Sequence, residues 1–204
     1  MGEFWGKWMI GAARVCEYSN DDNLRSFMLN AAKRLIGLQA ENGYLNSYRD
    51  PDFFFAADTE KSKALMGWPC DWNWNVWCRK YTLWGLLEVY QQTKNEEILS
   101  AARRLTDHLI TQLHNGGICI YETGVFAGIP SSSILKPILL LYRFTKDEKY
   151  LSFAEEIVAG MDREDQNPPC LIGKALSGQP VHEWYPEPSR WAKVYELLSC
   201  FDGI

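Results

Sequence analysis

Apolar residues in this chain recur at steps of three and four almost throughout, the period of an α-helix buried along one face. Trp5, Trp8, Met9, Ala12 and Cys16 predict a first helix. A cap-like run, Ser19-Asn20-Asp21-Asp22, then opens a second through Leu24, Phe27, Met28, Ala31 and Leu35, ended by Asn42-Gly43. A third is predicted over about 75–92, with Trp77, Tyr81, Trp84 and Leu87 on one face. A fourth runs from Glu96 to Leu113, with Ile98, Ala102, Leu105 and Leu109 inward, and Asn115-Gly116-Gly117 breaks it. Ser131-Ser132-Ser133 reads as the cap of a fifth that reaches Phe144, with Pro137 kinking it or sitting near its first turn. A sixth covers Glu148 to Met161, and a seventh opens near Pro188 and is still running at Ile204. Ile118-Cys119-Ile120-Tyr121 is the one short strand candidate. The fold class is all-α.

An internal repeat orders these helices. The segment from Tyr90 through Thr93, Lys94, Glu96, Leu99 and Ser100 to Ala102 matches the one from Tyr142 through Thr145, Lys146, Glu148, Leu151 and Ser152 to Ala154. Seven identities fall at a constant offset of 52, and a weaker copy begins at Tyr18. Each copy spans the end of one helix, a tight turn and the capped start of the next. One hairpin cannot bury its own apolar face, so hairpins must stack, either in an open solenoid or in a closed double ring. Connections inside hairpins are short, whereas those between hairpins run over roughly 43–74 and 162–187. Long loops gathered at one end suit a ring with a functional mouth better than a solenoid.

Composition narrows the partners. A net charge of −5 provides no basic field for a phosphate backbone, which argues against nucleic acid. No apolar run approaches the length of a membrane span, and Met1 leads directly into a helical pattern without signal-peptide features. The expectation is a soluble protein, cytoplasmic or periplasmic. The six cysteines are scattered without a C-x-x-C pair and read as buried thiols. Aromatic residues make up 14% of the chain, and Phe53, Phe54, Phe55, Trp68, Trp72, Trp74 and Trp77 fall within 25 residues. Such crowding fits either core packing or a site whose rings stack on sugars.

Several segments carry a family likeness: Phe4-Trp5-Gly6-Lys7-Trp8, the run from Gln39 through Asn42-Gly43-Tyr44-Leu45-Asn46-Ser47 to Tyr48, and Trp77-Cys78-Arg79-Lys80-Tyr81. Pro130-Ser131-Ser132, Leu141-Tyr142-Arg143-Phe144-Thr145 and the run from Lys193 to Cys200 add to it. Together they resemble the glycoside hydrolase family that includes the bacterial β-L-arabinofuranosidases, a six-hairpin type. The resemblance implies an (α/α)6 toroid of which residues 1–204 form the amino-terminal part, stopping before the ring closes. It also implies a cysteine nucleophile held by zinc with further cysteine and glutamate ligands, all beyond Ile204, and a glutamate acid/base. Zinc is therefore an expectation for the complete protein, and no cofactor or metal ligand set is expected within this chain. Where those enzymes carry a sugar-binding histidine, this sequence has Asn75, a departure that bears on the substrate.

The candidate site residues follow. Glu196, in Val194-Tyr195-Glu196, lies near the family glutamate and is the acid/base candidate, weighed against a surface glutamate one turn before Cys200. Glu183, between His182 and Trp184, is a weaker catalytic candidate on a loop. Asn75, Lys80 and Tyr81 form a second group, in which Asn75 could bond a sugar hydroxyl and Lys80 a carboxylate or phosphate. A lysine there could equally snorkel at the surface. Tyr44, Asn46 and Tyr48 follow a turn and could reach the cavity mouth beside Trp72 and Trp74, with His182 and Trp184 as further substrate contacts. His108 reads as packed or exposed, and His114 as complementing a helix C-terminus.

The functional expectation is a glycoside hydrolase acting on oligosaccharide or polysaccharide, as a fragment inactive alone. The alternatives are a helical-toroid polysaccharide lyase or sugar epimerase, or a non-catalytic helical-repeat scaffold. A ring cut after seven helices would expose Trp191, Val194, Tyr195, Leu198 and Phe201, so self-association through that end is expected too.

Overall fold

The computed structural model describes residues 2–49, 51, 73–166, 168–184 and 194–204. The helices are α1 (Gly2–Ser19), α2 (Asp22–Ile36), α3 (Asn75–Thr93), α4 (Glu96–Gly116) and the single turn α5 (Ile129–Ser132). They continue with α6 (Leu135–Thr145), α7 (Glu148–Met161), the short α8 (Leu171–Ser177) and α9 (Val194–Phe201).

The repeat is a repeat of geometry. Asn20, Lys94 and Lys146 each take the left-handed conformation, φ 51°, 52° and 55°. Each donates its N–H back to a helix carbonyl, that of Cys16, Tyr90 or Tyr142, at 2.8, 2.8 and 2.7 Å. The Thr93 and Thr145 hydroxyls bond the Val89 and Leu141 carbonyls, both at 2.8 Å. Asp21, Asn95 and Asp147 then cap the helix that follows. The Tyr90 and Tyr142 hydroxyls reach across the turn to Glu96 and Glu148, both at 3.2 Å. These contacts explain why Tyr, Thr, Lys and Glu recur at the same offsets: a non-glycine left-handed turn costs about 1–2 kcal/mol, and the cap and hydroxyl bonds offset it.

Helix α3 lies at the centre. Apart from Trp84, every residue from Asn75 to Val89 is buried, and α1, α2, α4, α5 and α6 surround it. Its closest neighbour is α1. Gly6 and Gly85 allow this, since a methyl group on Gly6 would collide with the Tyr81 carbonyl and one on Gly85 with Trp5. Gly6 lies against Tyr81 and Arg14 against Glu88, so α1 and α3 run parallel, as alternate helices of stacked hairpins must. Met9, Leu83, Leu86, Leu87, Ile98, Leu105, Ile138, Leu141, Phe153 and Ile157 belong to the common core.

Four local expectations change. The strand candidate at 118–121 leads into a 3-10 turn, Ile120–Glu122, because the Ile118 N–H is already bound to the Leu113 carbonyl at 2.9 Å. The serines cap nothing. They are buried, and their hydroxyls bond the carbonyls of Thr123, Ile129 and Pro130, so α6 starts after Ile134 without a side-chain cap. Pro137 sits in the first turn of α6, where its missing N–H costs nothing. The connection 162–187 is not plain loop, since α8 and a 3-10 turn, Val181–Glu183, occupy part of it. The last helix, described over Val194–Phe201, stops short of Ile204, and its expected opening near Pro188 lies outside the described residues.

Candidate functional site

Two groups of side chains meet on α3, and they differ in kind. The first gathers at its amino end. The Gly43 turn places it there: Gly43, at φ 93°, packs on the α4 backbone at Arg104, where a side chain would clash. Gln39 fastens the turn by donating to the Ala101 carbonyl at 3.0 Å and the Gly43 carbonyl at 2.9 Å. The following residues then cross the start of α3. Asn46 Nδ2 donates to Asn75 Oδ1 at 2.7 Å, and Tyr48 Oη accepts the Trp74 N–H at 3.1 Å. Tyr44 Oη donates to the Tyr48 carbonyl at 2.6 Å.

Beneath them lies Arg79, one turn after Asn75 and fully buried. Its Nε donates to Asn75 Oδ1 at 2.8 Å, Nη1 to Gln112 Oε1 at 3.0 Å and Nη2 to the Pro51 carbonyl at 3.1 Å. His108 Nδ1 lies 3.3 Å from Nη1, and the Tyr44 ring covers the guanidinium at 4.9 Å. His108 is thus packed in this network. Arg79 is the residue the sequence reading missed. The available signal was its place one helical turn from Asn75 in an otherwise apolar stretch, where a buried guanidinium must find acceptors.

The second group lies on the other side of α3. Trp74, Trp77 and Tyr81 form edge-on ring contacts at 5.7 and 5.2 Å, and Tyr81 stacks on Trp84 at 6.3 Å. Two lysines sit among the rings. Lys7, from α1, pairs with Glu3 at 2.8 Å and lies 4.8 Å from the Tyr81 ring centre and 5.0 Å from that of Tyr195. Burial alone would favour the neutral forms, yet the pair's own bond and charge hold Glu3 below and Lys7 above their ordinary pKa values. Lys80 is only 1% exposed, and its Nζ lies over Trp77 at 4.4 Å and Tyr81 at 4.7 Å. It therefore does not snorkel. No hydrogen bond or ion pair from the described residues reaches it, and burial pushes its pKa down to about 7 against the opposing pull of Cys200 and Asp202.

Helix α9 closes this side. Tyr195 Oη bonds Tyr81 Oη at 2.6 Å, and burial first, then this bond, raises the Tyr81 pKa. Lys136 of α6 pairs with Asp202 at 2.7 Å. The helix buries Leu197 and Cys200 and, beside them, Glu196 at 4% exposed, while Val194, Tyr195 and Leu198 are 69%, 52% and 61% exposed. Glu196 Oε2 is buried without a hydrogen-bond partner. One turn on, Cys200 lies 2.6 Å from Ser132 Oγ, and burial pushes its thiol up to about 11, so it stays protonated at neutral pH. A cleft of about 670 Å3 runs alongside, lined by Lys7, Tyr81, Trp84, Tyr195, Ser199 and Asp202 among others.

The remaining candidates lie elsewhere. His182 and Glu183 are exposed on the 3-10 turn, 3.7 Å from each other. Trp184 is buried: its indole N–H donates to the Gln179 carbonyl at 2.6 Å and its ring meets Phe201 edge-on at 6.4 Å. Trp72 lies outside the described residues. His114 is exposed beside Glu156, at 3.0 Å. Among the described residues no three His, Cys, Asp or Glu side chains converge to hold a metal ion, and the described cysteines are unpaired. These described residues do not fit a zinc site.

All-helical hairpins stacked with alternate helices parallel match part of a helical toroid of the (α/α)6 type. The chain matches the family described as β-L-arabinofuranosidase, GH127 catalytic domain, over residues 1–168, and it belongs to that family of glycoside hydrolases. Curated proteins return no match. Solved structures return none either. No helix among the described residues is long and apolar enough to cross a membrane.

Proposed function

We propose that the chain supplies the acid/base side of a glycosidase site acting on oligosaccharide or polysaccharide, with Glu196 as the acid/base. A glycosidase acid has to be withdrawn from water and free of a fixed cation, so that it can give its proton to the leaving oxygen and take one back from water. One observation carries the reading. Helix α9 turns Glu196 inward without a partner for Oε2 while Val194, Tyr195 and Leu198 face out. An orphaned buried carboxyl oxygen costs about 1–3 kcal/mol or more, which a surface rotation of the helix would avoid. Tyr44, Tyr48 and Trp74 keep partly open ring surface for a sugar, whereas Asn46 and Asn75 act by positioning. Glu183 and His182 have no comparable setting. The family points to β-L-arabinofuranosides as the first substrates to try.

Turnover of aryl glycosides by the protein expressed from its complete reading frame tests this. Glu196→Gln should lower kcat by about 10²–10⁴ for poor leaving groups and less for activated ones. Undiminished turnover in that variant would sink the assignment. The 204 residues alone should show little turnover, because the resemblance places the nucleophile beyond Ile204 and an acid without its nucleophile cannot complete a double displacement.

A further inference from the structure

We infer that a second site, for a neutral sugar or polyol, lies between α1, α3 and α6 with Glu88 at its centre. It is separate from the Glu196 site and does not depend on that reading. Glu88 lies more than three turns beyond Asn75, about 20 Å further along α3. A cavity of about 330 Å3 is lined there by Arg14, Trp84, Glu88, Gln91, Arg143 and Phe144 among others. Glu88 is 2% exposed, and only half of its carboxylate is satisfied. Oε1 accepts from Arg14 Nη2 and from the Trp84 indole N–H, both at 2.9 Å, whereas Oε2 is buried with no hydrogen-bond partner. One guanidinium can engage both oxygens of a carboxylate, but Arg14 divides itself between Glu88 and Glu17, the latter at 3.1 Å. An orphaned buried carboxylate oxygen is costly, and a donor arriving through the cavity would satisfy it. Gln91 and Arg143 line the same cavity, and neither side chain has a hydrogen-bond or ion-pair partner among the described residues. The cavity thus presents an unsatisfied acceptor, a free guanidinium donor and an amide that can do both.

The charges select the ligand. Arg14, Lys136 and Arg143 oppose a cation, and Glu88 opposes an anion. The neighbouring charges are already engaged: Lys136 is held by Asp202 at 2.7 Å, Arg14 by its two glutamates, and Lys94 lies over the Phe144 ring at 5.6 Å. A hydroxyl carries neither sign and both donates and accepts, so neighbouring hydroxyls of one ring can bond Glu88 on one side and Gln91 or Arg143 on the other. Phe144 and Leu140 supply apolar surface for the C–H face of such a ring. The volume is at the low end for small-molecule sites and suits a single ring.

Isothermal titration of the 204-residue chain with D-glucose, D-galactose and D-xylose, beside D-glucuronate and D-glucosamine, tests this. At least one of the three neutral sugars should bind saturably at millimolar concentration, and the two charged sugars at least about fivefold more weakly. Glu88→Gln, Gln91→Ala and Arg143→Ala should each weaken that binding about fivefold or more, while Glu196→Gln leaves it unchanged. Gln91 is half-buried and Arg143 exposed, so these two replacements spare the fold even where Glu88→Gln does not. No saturable binding of any neutral sugar would overturn the inference, as would tighter binding of glucuronate or glucosamine. So would unchanged affinity in the cavity variants, or its loss in Glu196→Gln, since either result places the sugar elsewhere. Binding by these 204 residues that disappears in the protein expressed from its complete reading frame would overturn it as well. Because every readout here is binding and not turnover, failure of the hydrolase reading would leave this site standing, and failure of this site would leave that reading intact.

Discussion

The two flanks of α3 each bury a cation, and they treat it in opposite ways. Arg79 is met by Asn75, Gln112, Pro51, His108 and the Tyr44 ring. Lys80, the next residue, lies over two rings and has no hydrogen bond or ion pair with a described residue. A guanidinium hydrogen-bonded to three chain segments is a structural device: it pins the 39–51 segment and α4 to the start of the central helix. An ammonium left without a hydrogen-bonding partner is not explained by packing, because a methionine would fill the same space at lower cost. Adjacent residues of one helix can thus serve different ends, and partner satisfaction is what tells them apart.

Removing the arginine gives the largest expected effect. Arg79→Met should destabilise by on the order of 4 kcal/mol, since several buried acceptors lose their donor at about 1–3 kcal/mol each. Urea unfolding would read this as a lower midpoint at unchanged slope. A loss under about 1 kcal/mol would erase the contrast between the two flanks.

Lys80→Met should go the other way. At pH 6.5 it should stabilise by about 1–4 kcal/mol, as expected when an apolar side chain replaces a buried charge. The pH dependence has a definite sign. Burial depresses the Lys80 pKa from 10.5 to about 7 in the folded state, so between those values the unfolded chain binds the extra proton. Wild-type stability therefore gains from this residue as pH rises through that window, by up to about 1.4 kcal/mol per unit. The advantage of the methionine variant should shrink accordingly between pH 7 and 10. Comparing unfolding midpoints of the two proteins at several pH values isolates the effect, because their other groups titrate alike. A constant difference across the window would mean that Lys80 is not desolvated.

The smallest effect belongs to the link between α3 and α9. Tyr195→Phe removes the hydroxyl bond to Tyr81 from a half-exposed ring and should cost about 0.5–1.5 kcal/mol. A drop well beyond that would show that α9 depends on this bond for its seating, and with it the burial of Glu196.

Much of the helix plan was legible along the chain. The Tyr, Thr, Lys and Glu identities at offset 52 specify a turn whose bonds are all local, and so they could be read without knowing what packs where. The Asn42-Gly43 turn was legible as a turn, since φ 93° with a backbone pressed against it admits little but glycine, but it does not end α2, which stops earlier, at Ile36. Local signals failed where the hydrogen-bonding partner was distant. Ser131, Ser132 and Ser133 look like a cap, but Thr123 and the carbonyls of α5 hold them. Trp184 looks like a sugar platform until Gln179 and Phe201 are seen to enclose it.

The sequence by itself therefore determined where the long helices lie and how three of the hairpins turn, because periodicity and capping act within a few residues. Only the tertiary structure decided which face of each helix is covered. It turned α9 so that Glu196 is inside and Leu198 outside, and it gave Arg79 its acceptors while giving Lys80 none among the described residues. Those outcomes depend on neighbours tens of residues away in the chain, and hydrophobic pattern carries no record of which neighbour arrives. The reason is physical: a helix's own bonds are fixed by its sequence, but the environment of each side chain is set by the helices packed against it.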